Sequence, residues 1–88
     1  MSEYYSNHKY YVIIRKSSFV GYYYDLFDEY RGAYINGDYV SREVINESSV
    51  LYKIEIDINL FCILKKGKTR FNDINWFITH YGLEEKII

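Results

Sequence analysis

Tyr34-Ile35-Asn36-Gly37-Asp38-Tyr39 is the stretch on which the fold turns. Both central residues of a type I′ turn sit at positive φ, which Asn and Gly tolerate and most side chains do not. Two-residue closure at Asn36-Gly37 pairs Ile35 with Asp38 and Tyr34 with Tyr39, so the two tyrosine rings meet on one face. The reading is a β-hairpin running on to about Val44. It makes the N-terminal half an antiparallel sheet.

Upstream, Lys9 to Arg15 (KYYVIIR) is a β-branched and aromatic run bounded by Lys16-Ser17-Ser18, the pattern of a buried strand. Phe19 to Tyr24 is its expected hairpin partner. Tyr23, Leu26, Phe27 and Tyr30 then fall at i, i+3, i+4 and i+7, an apolar helical stripe that stops at Gly32. The expectation is a strand to about Tyr24 and a short helix across 25–31, with Asp25, Asp28 and Glu29 off the stripe and in water. Residues 1–8 are polar and are expected to fray.

Downstream, Tyr52, Ile54 and Ile56 alternate with Lys53 and Glu55, so Val50 to Ile56 reads as a half-buried strand with one wet face. An internal echo follows. Asp57-Ile58-Asn59-Leu60-Phe61 leads to Gly67, and Asp73-Ile74-Asn75-Trp76-Phe77 leads to Gly82. Each offers a capping Asp, apolar residues at helical spacing and a Gly past the end. The pattern predicts two short antiparallel helices joined by a Gly67–Asn72 loop; a β-hairpin over 58–71, turning at Lys66-Gly67, is the rival. The fold class is therefore α+β: a small antiparallel sheet from the N-terminal half, with short helices from the C-terminal third packed on one face.

The chain has 88 residues, 26% of them charged, with no proline and one cysteine. That length leaves room for a single domain spanning 1–88. One cysteine excludes an internal disulfide. The longest uninterrupted apolar run, Leu60 to Leu64, is far short of the ~20 residues of a membrane span. Met1-Ser2-Glu3-Tyr4-Tyr5 has no positive region followed by an apolar stretch, so a cytoplasmic location and no membrane partner are expected. A net charge of −1 gives no chain-wide attraction to nucleic acid.

Catalytic patterns fail on spacing. Gly67-Lys68-Thr69 ends like a GxxxxGK[ST] phosphate loop, but Cys62 stands where the first glycine belongs. Cys62, His8 and His80 are scattered, so neither a metal nor any other cofactor is expected. Cys62, inside Leu60–Leu64, reads as a small core residue. A nucleophilic Cys62–His80 pair requires the two helices to pack together. The chain is read as a non-enzyme, a small enzyme ranking third.

Two surfaces carry the functional expectation. The first is Tyr22-Tyr23-Tyr24-Asp25-Leu26-Phe27-Asp28-Glu29-Tyr30, in which three consecutive tyrosines cannot all be buried on one face. Exposed tyrosine favours interfaces, and Asp25, Asp28 and Glu29 favour a basic partner. The second is Lys65, Lys66, Lys68 and Arg70, four cations in six residues beside the start of the last helix. That helix carries no Arg or Lys with which to read bases. Ten of the twelve tyrosines lie in the first 40 residues, and Tyr, Ile, Asn, Lys and Phe share AT-rich codons. Such bias in a short chain is common in bacteriophages and other mobile elements. The resulting expectation is a non-catalytic protein-binding module, an inhibitor docking its acidic and aromatic surface on a basic host protein, such as a nucleic-acid-binding defence protein. The alternative is a nucleic-acid-binding module using residues 65–70.

Overall fold

Five strands form an antiparallel sheet in the order β4-β3-β2-β1-β5: β1 (Tyr10–Lys16), β2 (Tyr22–Asp28), β3 (Gly32–Ile35), β4 (Asp38–Val40) and β5 (Val50–Ile56). Two helices follow and pack on the sheet, α1 (Ile58–Lys66) and α2 (Ile74–His80). Between them lies a two-residue strand, β6 (Arg70–Phe71), and a 3₁₀ turn follows at Glu84–Lys86. The computed structural model describes residues 9–35, 37–40 and 50–86. Among the described residues, no helix is long and apolar enough to cross a membrane.

β1 is central because it is apolar on both faces. Val12 and Ile14, with Tyr10, join Tyr24, Leu26, Ile54 and Ile56 beneath the helices. Ile13 packs with Phe27 and Ala33 on the opposite face. β5 behaves as its alternation requires, with Ile54 and Ile56 buried and Lys53 and Glu55 exposed. Between Ile14 and Arg15 its register slips, so that Arg15 stands opposite Val50 and Leu51 is left exposed.

The local turn reading holds. Ile35 pairs with Asp38 and Tyr34 with Tyr39, whose rings meet edge-on at 5.1 Å. Gly37 takes a φ of 84°. Asn36 and the extension to Val44 lie outside the described residues, as do residues 1–8.

The helix expected across 25–31 is a strand. Tyr22 to Asp28 pairs with β1 over its full length, Tyr10 opposite Asp28 and Lys16 opposite Tyr22. Tyr24 and Leu26 face the helices while Phe27 faces away, so both faces are occupied and the alternation that signals a strand is erased. Phe19 and Val20, expected at the start of this strand, lie in the turn before it. Asp28 is buried, not wet. Its Oδ1 accepts from the Tyr30 and Arg31 amides at 2.8 and 3.3 Å and so closes the turn into β3.

Both C-terminal helices form at the expected places, which removes the 58–71 hairpin. Asp57 accepts from the Leu60 amide at 2.8 Å and Asp73 from the Trp76 amide at 3.1 Å. Phe61 and Leu64 of α1, Phe77 of α2 and Leu83 enter the core. Cys62 does not. It lies on the exposed face of α1, because Phe61 and Leu64 already take the inward positions of that turn.

The expected Gly67–Asn72 loop instead contains β6, which shares one edge of β2 with β3. Tyr22 and Tyr23 pair with Phe71 and Arg70, while Leu26 to Asp28 pair with β3. Between them the Tyr24 amide donates to the Thr69 carbonyl at 3.0 Å. Gly21 makes this closure possible. At φ +81°, a Cβ there would lie 2.7 Å from the Phe71 carbonyl oxygen, closer than a side chain can approach backbone.

Tyr24 ties α1 to the sheet, its hydroxyl donating to the Leu64 carbonyl at 2.6 Å. Burial, with Tyr81 adding to it, pushes this hydroxyl from an ordinary value near 10 up to about 12. A folded-state value above the unfolded one means the contribution is complete below about pH 10 and is lost as pH rises toward about 12. Tyr24→Phe is expected to cost about 1 kcal/mol at neutral pH, since the Leu64 carbonyl loses the nearer of its two donors and keeps the Gly67 amide at 3.3 Å. The variant should also lose less stability than the parent between pH 10 and 12. Urea melts across that range check both.

Candidate binding surface

The structure divides the 22–30 segment. Tyr22 and Tyr23 are half-buried and Tyr24 is buried, so the three tyrosines are not all buried. Tyr22 stacks on Phe71 at 5.7 Å between ring centroids, and the Arg70 guanidinium lies over the Tyr23 ring at 5.8 Å. Asp25 pairs with Arg15 at 2.9 Å, and Asp28 turns inward. Glu29 and Tyr30 are exposed at the β2–β3 turn, at the other end of the strand from Tyr22. Tyr22 and Tyr23 thus lie at one end of β2 and Glu29 with Tyr30 at the other, with Asp25 paired and Asp28 buried between them.

The basic cluster also divides. Lys65 leans over three rings, with Nζ 4.7 Å from the Tyr34 centroid, 5.4 Å from Tyr39 and 5.8 Å from Phe61. Lys66, Lys68 and Arg70 are exposed.

What the sequence reading missed is the β1–β2 turn. The Ser17 amide donates to the Gly21 carbonyl at 3.0 Å, and Ser17 Oγ accepts from the Phe19 amide at 3.1 Å. These bonds hold a tight loop with Phe19 and Val20 at its tip, 88% and 78% exposed. Arg70 Nη1 reaches Ser17 Oγ at 3.4 Å, which joins the loop to β6. Phe19, Val20, Tyr22, Tyr23 and Arg70 thus share one end of the sheet, with exposed Lys16 at the end of β1. The available signal was an apolar pair set between Ser17-Ser18 and Gly21, residues that make turns.

Among the described residues, no three His, Cys, Asp or Glu side chains come together to hold a metal ion. His80 stacks on Trp76 at 4.6 Å, and Cys62 is exposed on α1. Compared with protein-family models, with curated proteins and with solved structures, the chain matches none of them.

Proposed function

We propose that this chain is a non-catalytic protein-binding module whose docking surface is the end of the sheet built by the Ser17–Gly21 loop and β6. One observation carries the reading: a phenylalanine and a valine project into water from a turn that is otherwise tightly hydrogen-bonded. Their burial in the fold would stabilise it by roughly 1.5–3 kcal/mol each, a gain that this position forgoes. A partner pocket would recover it. Tyr22 and Tyr23 add amphipathic rings with few rotatable bonds, the residue type that dominates interface hot spots.

The charge around the tip favours an acidic partner. Lys16, Lys68 and Arg70 are exposed, whereas Asp25 is held by Arg15 and Asp28 is buried. The basic partner expected from Asp25, Asp28 and Glu29 is therefore replaced in this proposal by an apolar pocket rimmed with carboxylates. An inhibitor of a host protein would use such a surface, with the tip as its anchor.

A photo-crosslinking phenylalanine analogue at position 19 identifies the partner, and affinities are then measured on purified components. Phe19→Ser is expected to weaken the complex by roughly 30-fold, as a hot-spot anchor should. Arg70→Glu should slow association most at low salt. Stability should stay within about 0.5 kcal/mol for Phe19→Ser, since the side chain touches little. Full affinity in a folded Phe19→Ser, Val20→Ser double variant rejects the surface.

A further inference from the structure

β5 is an edge strand. Among the described residues it pairs with β1 alone, in the antiparallel register that sets Tyr11 opposite Glu55 and Val12 opposite Ile54. In such a pair, successive residues turn their amide and carbonyl to alternate sides of the strand. Ile54 and Ile56 are only 2% and 4% exposed as whole residues, which places their backbone groups toward β1. The outward groups are then those of Lys53 and Glu55, both exposed. A row of outward donors and acceptors is a template for another strand.

Lysine often guards an edge of this kind. Here it is drawn back: Lys53 Nζ lies over the rings of Tyr11 and Phe27, at 5.1 and 5.5 Å, and does not project past the edge. Glu55 stands two residues on, and so on the same face of the sheet. Among the described residues neither forms an ion pair. The strand also has an exposed apolar residue at each end. Leu51 near its start is 47% exposed, and Ile58 just past its end is 42% exposed.

We infer that β5 pairs antiparallel with β5 of a second copy of this chain, about a two-fold axis at Ile54. Contacts across a two-fold axis are reciprocal. Lys53 of each copy then stands opposite Glu55 of the other, so opposite charges meet on both sides of the axis and the outward backbone groups bond to one another. The same register brings Leu51 of one copy beside Asp57-Ile58 of the other, so the exposed apolar residues at the strand ends meet. The neighbouring registers are worse. Centring on Lys53 sets lysine against lysine, and centring on Glu55 sets glutamate against glutamate, like charges directly opposite. The inference is independent of the docking loop, since antiparallel pairing carries the two Phe19–Val20 tips to opposite ends of the joined sheet.

Sedimentation equilibrium of the full chain tests it. A monomer–dimer equilibrium is expected with a Kd on the order of 10–100 μM, as suits an interface below the ~800 Å² per partner of a standard one. Lys53→Glu and Glu55→Lys should each raise that Kd roughly tenfold or more, by setting like charges opposite. Mixed in equal amounts, these two variants should pair with each other about as tightly as the parent pairs with itself. The double exchange, Lys53→Glu with Glu55→Lys, should also return the Kd to the parent value. Circular dichroism melts check that each variant is folded. Hydrogen exchange in the parent gives a second readout and decides the matter if Lys53→Glu does not fold. The Lys53 and Glu55 amides should slow as concentration rises, while the Ile54 amide stays slow throughout. Phe19→Ser should leave the Kd unchanged. A chain monomeric at about 1 mM, a dimer indifferent to both charge reversals, no association between the mixed variants, exchange at Lys53 and Glu55 independent of concentration, or a dimer lost in Phe19→Ser overturns the pairing.

Discussion

Replacing Phe61 with alanine is expected to remove about 3–5 kcal/mol of stability, the cost of emptying a large buried aromatic site. Phe61 is 1% exposed and packs its ring on Tyr10 at 4.8 Å. It is also the residue by which α1 meets the start of β1, so the surrounding strands cannot collapse into the space without breaking their pairing. A chain of 88 residues has on the order of 4–13 kcal/mol in total. The variant should therefore be largely unfolded at 37 °C or lose well over 10 °C in Tm. Circular dichroism melts and urea titration measure it. A loss below about 1 kcal/mol is incompatible with the packing described.

The second large effect is expected at Arg15 and Asp25, which pair across β1 and β2 at 2.9 Å with side chains only 4% and 18% exposed. Asp25→Ala leaves a buried guanidinium without the carboxylate at its Nε, and about 3 kcal/mol should be lost. Arg15→Met should cost a similar amount by stranding the acid. Converting both, Arg15→Met with Asp25→Val, should recover most of the loss, because two desolvated charges are then exchanged for apolar contact. A double-mutant cycle from urea melts gives the coupling directly. Additive single losses would mean that the two side chains act independently.

This pair also explains where sequence reading stopped. Tyr34 and Tyr39 were legible because their contact depends on a two-residue turn between them. Asp57 and Asp73 were legible because a cap acts on amides three residues away. Asp25 was not legible. An acid beside Leu26 and Phe27 reads as the wet side of a helix until Arg15, ten residues earlier, is known to lie next to it. The same holds for Cys62, since Leu60 to Leu64 is apolar throughout and only the sheet beneath decides which side turns in. β6 has two residues and no pattern of its own. Its place follows from Gly21, whose missing Cβ admits the Phe71 carbonyl. For the binding surface, the tyrosines at 22 and 23 were visible in the sequence. Phe19 and Val20 were hidden by being counted as strand.

The position of β1 also imposes an order on assembly. Its first neighbour, β2, follows within a few residues, but its second, β5, sets Ile56 against Tyr10 and Tyr52 against Ile14. A chain emerging from the ribosome therefore completes the β1–β4 meander before the other edge of β1 has anything to bind. That edge belongs to Tyr10-Tyr11-Val12-Ile13-Ile14, uncharged, proline-free and rich in β-branched residues, a composition prone to pair with its own kind. Folding is then expected to be a race between docking of β5 and capture by another nascent chain. Crowded synthesis favours the second outcome, and dilution favours the first.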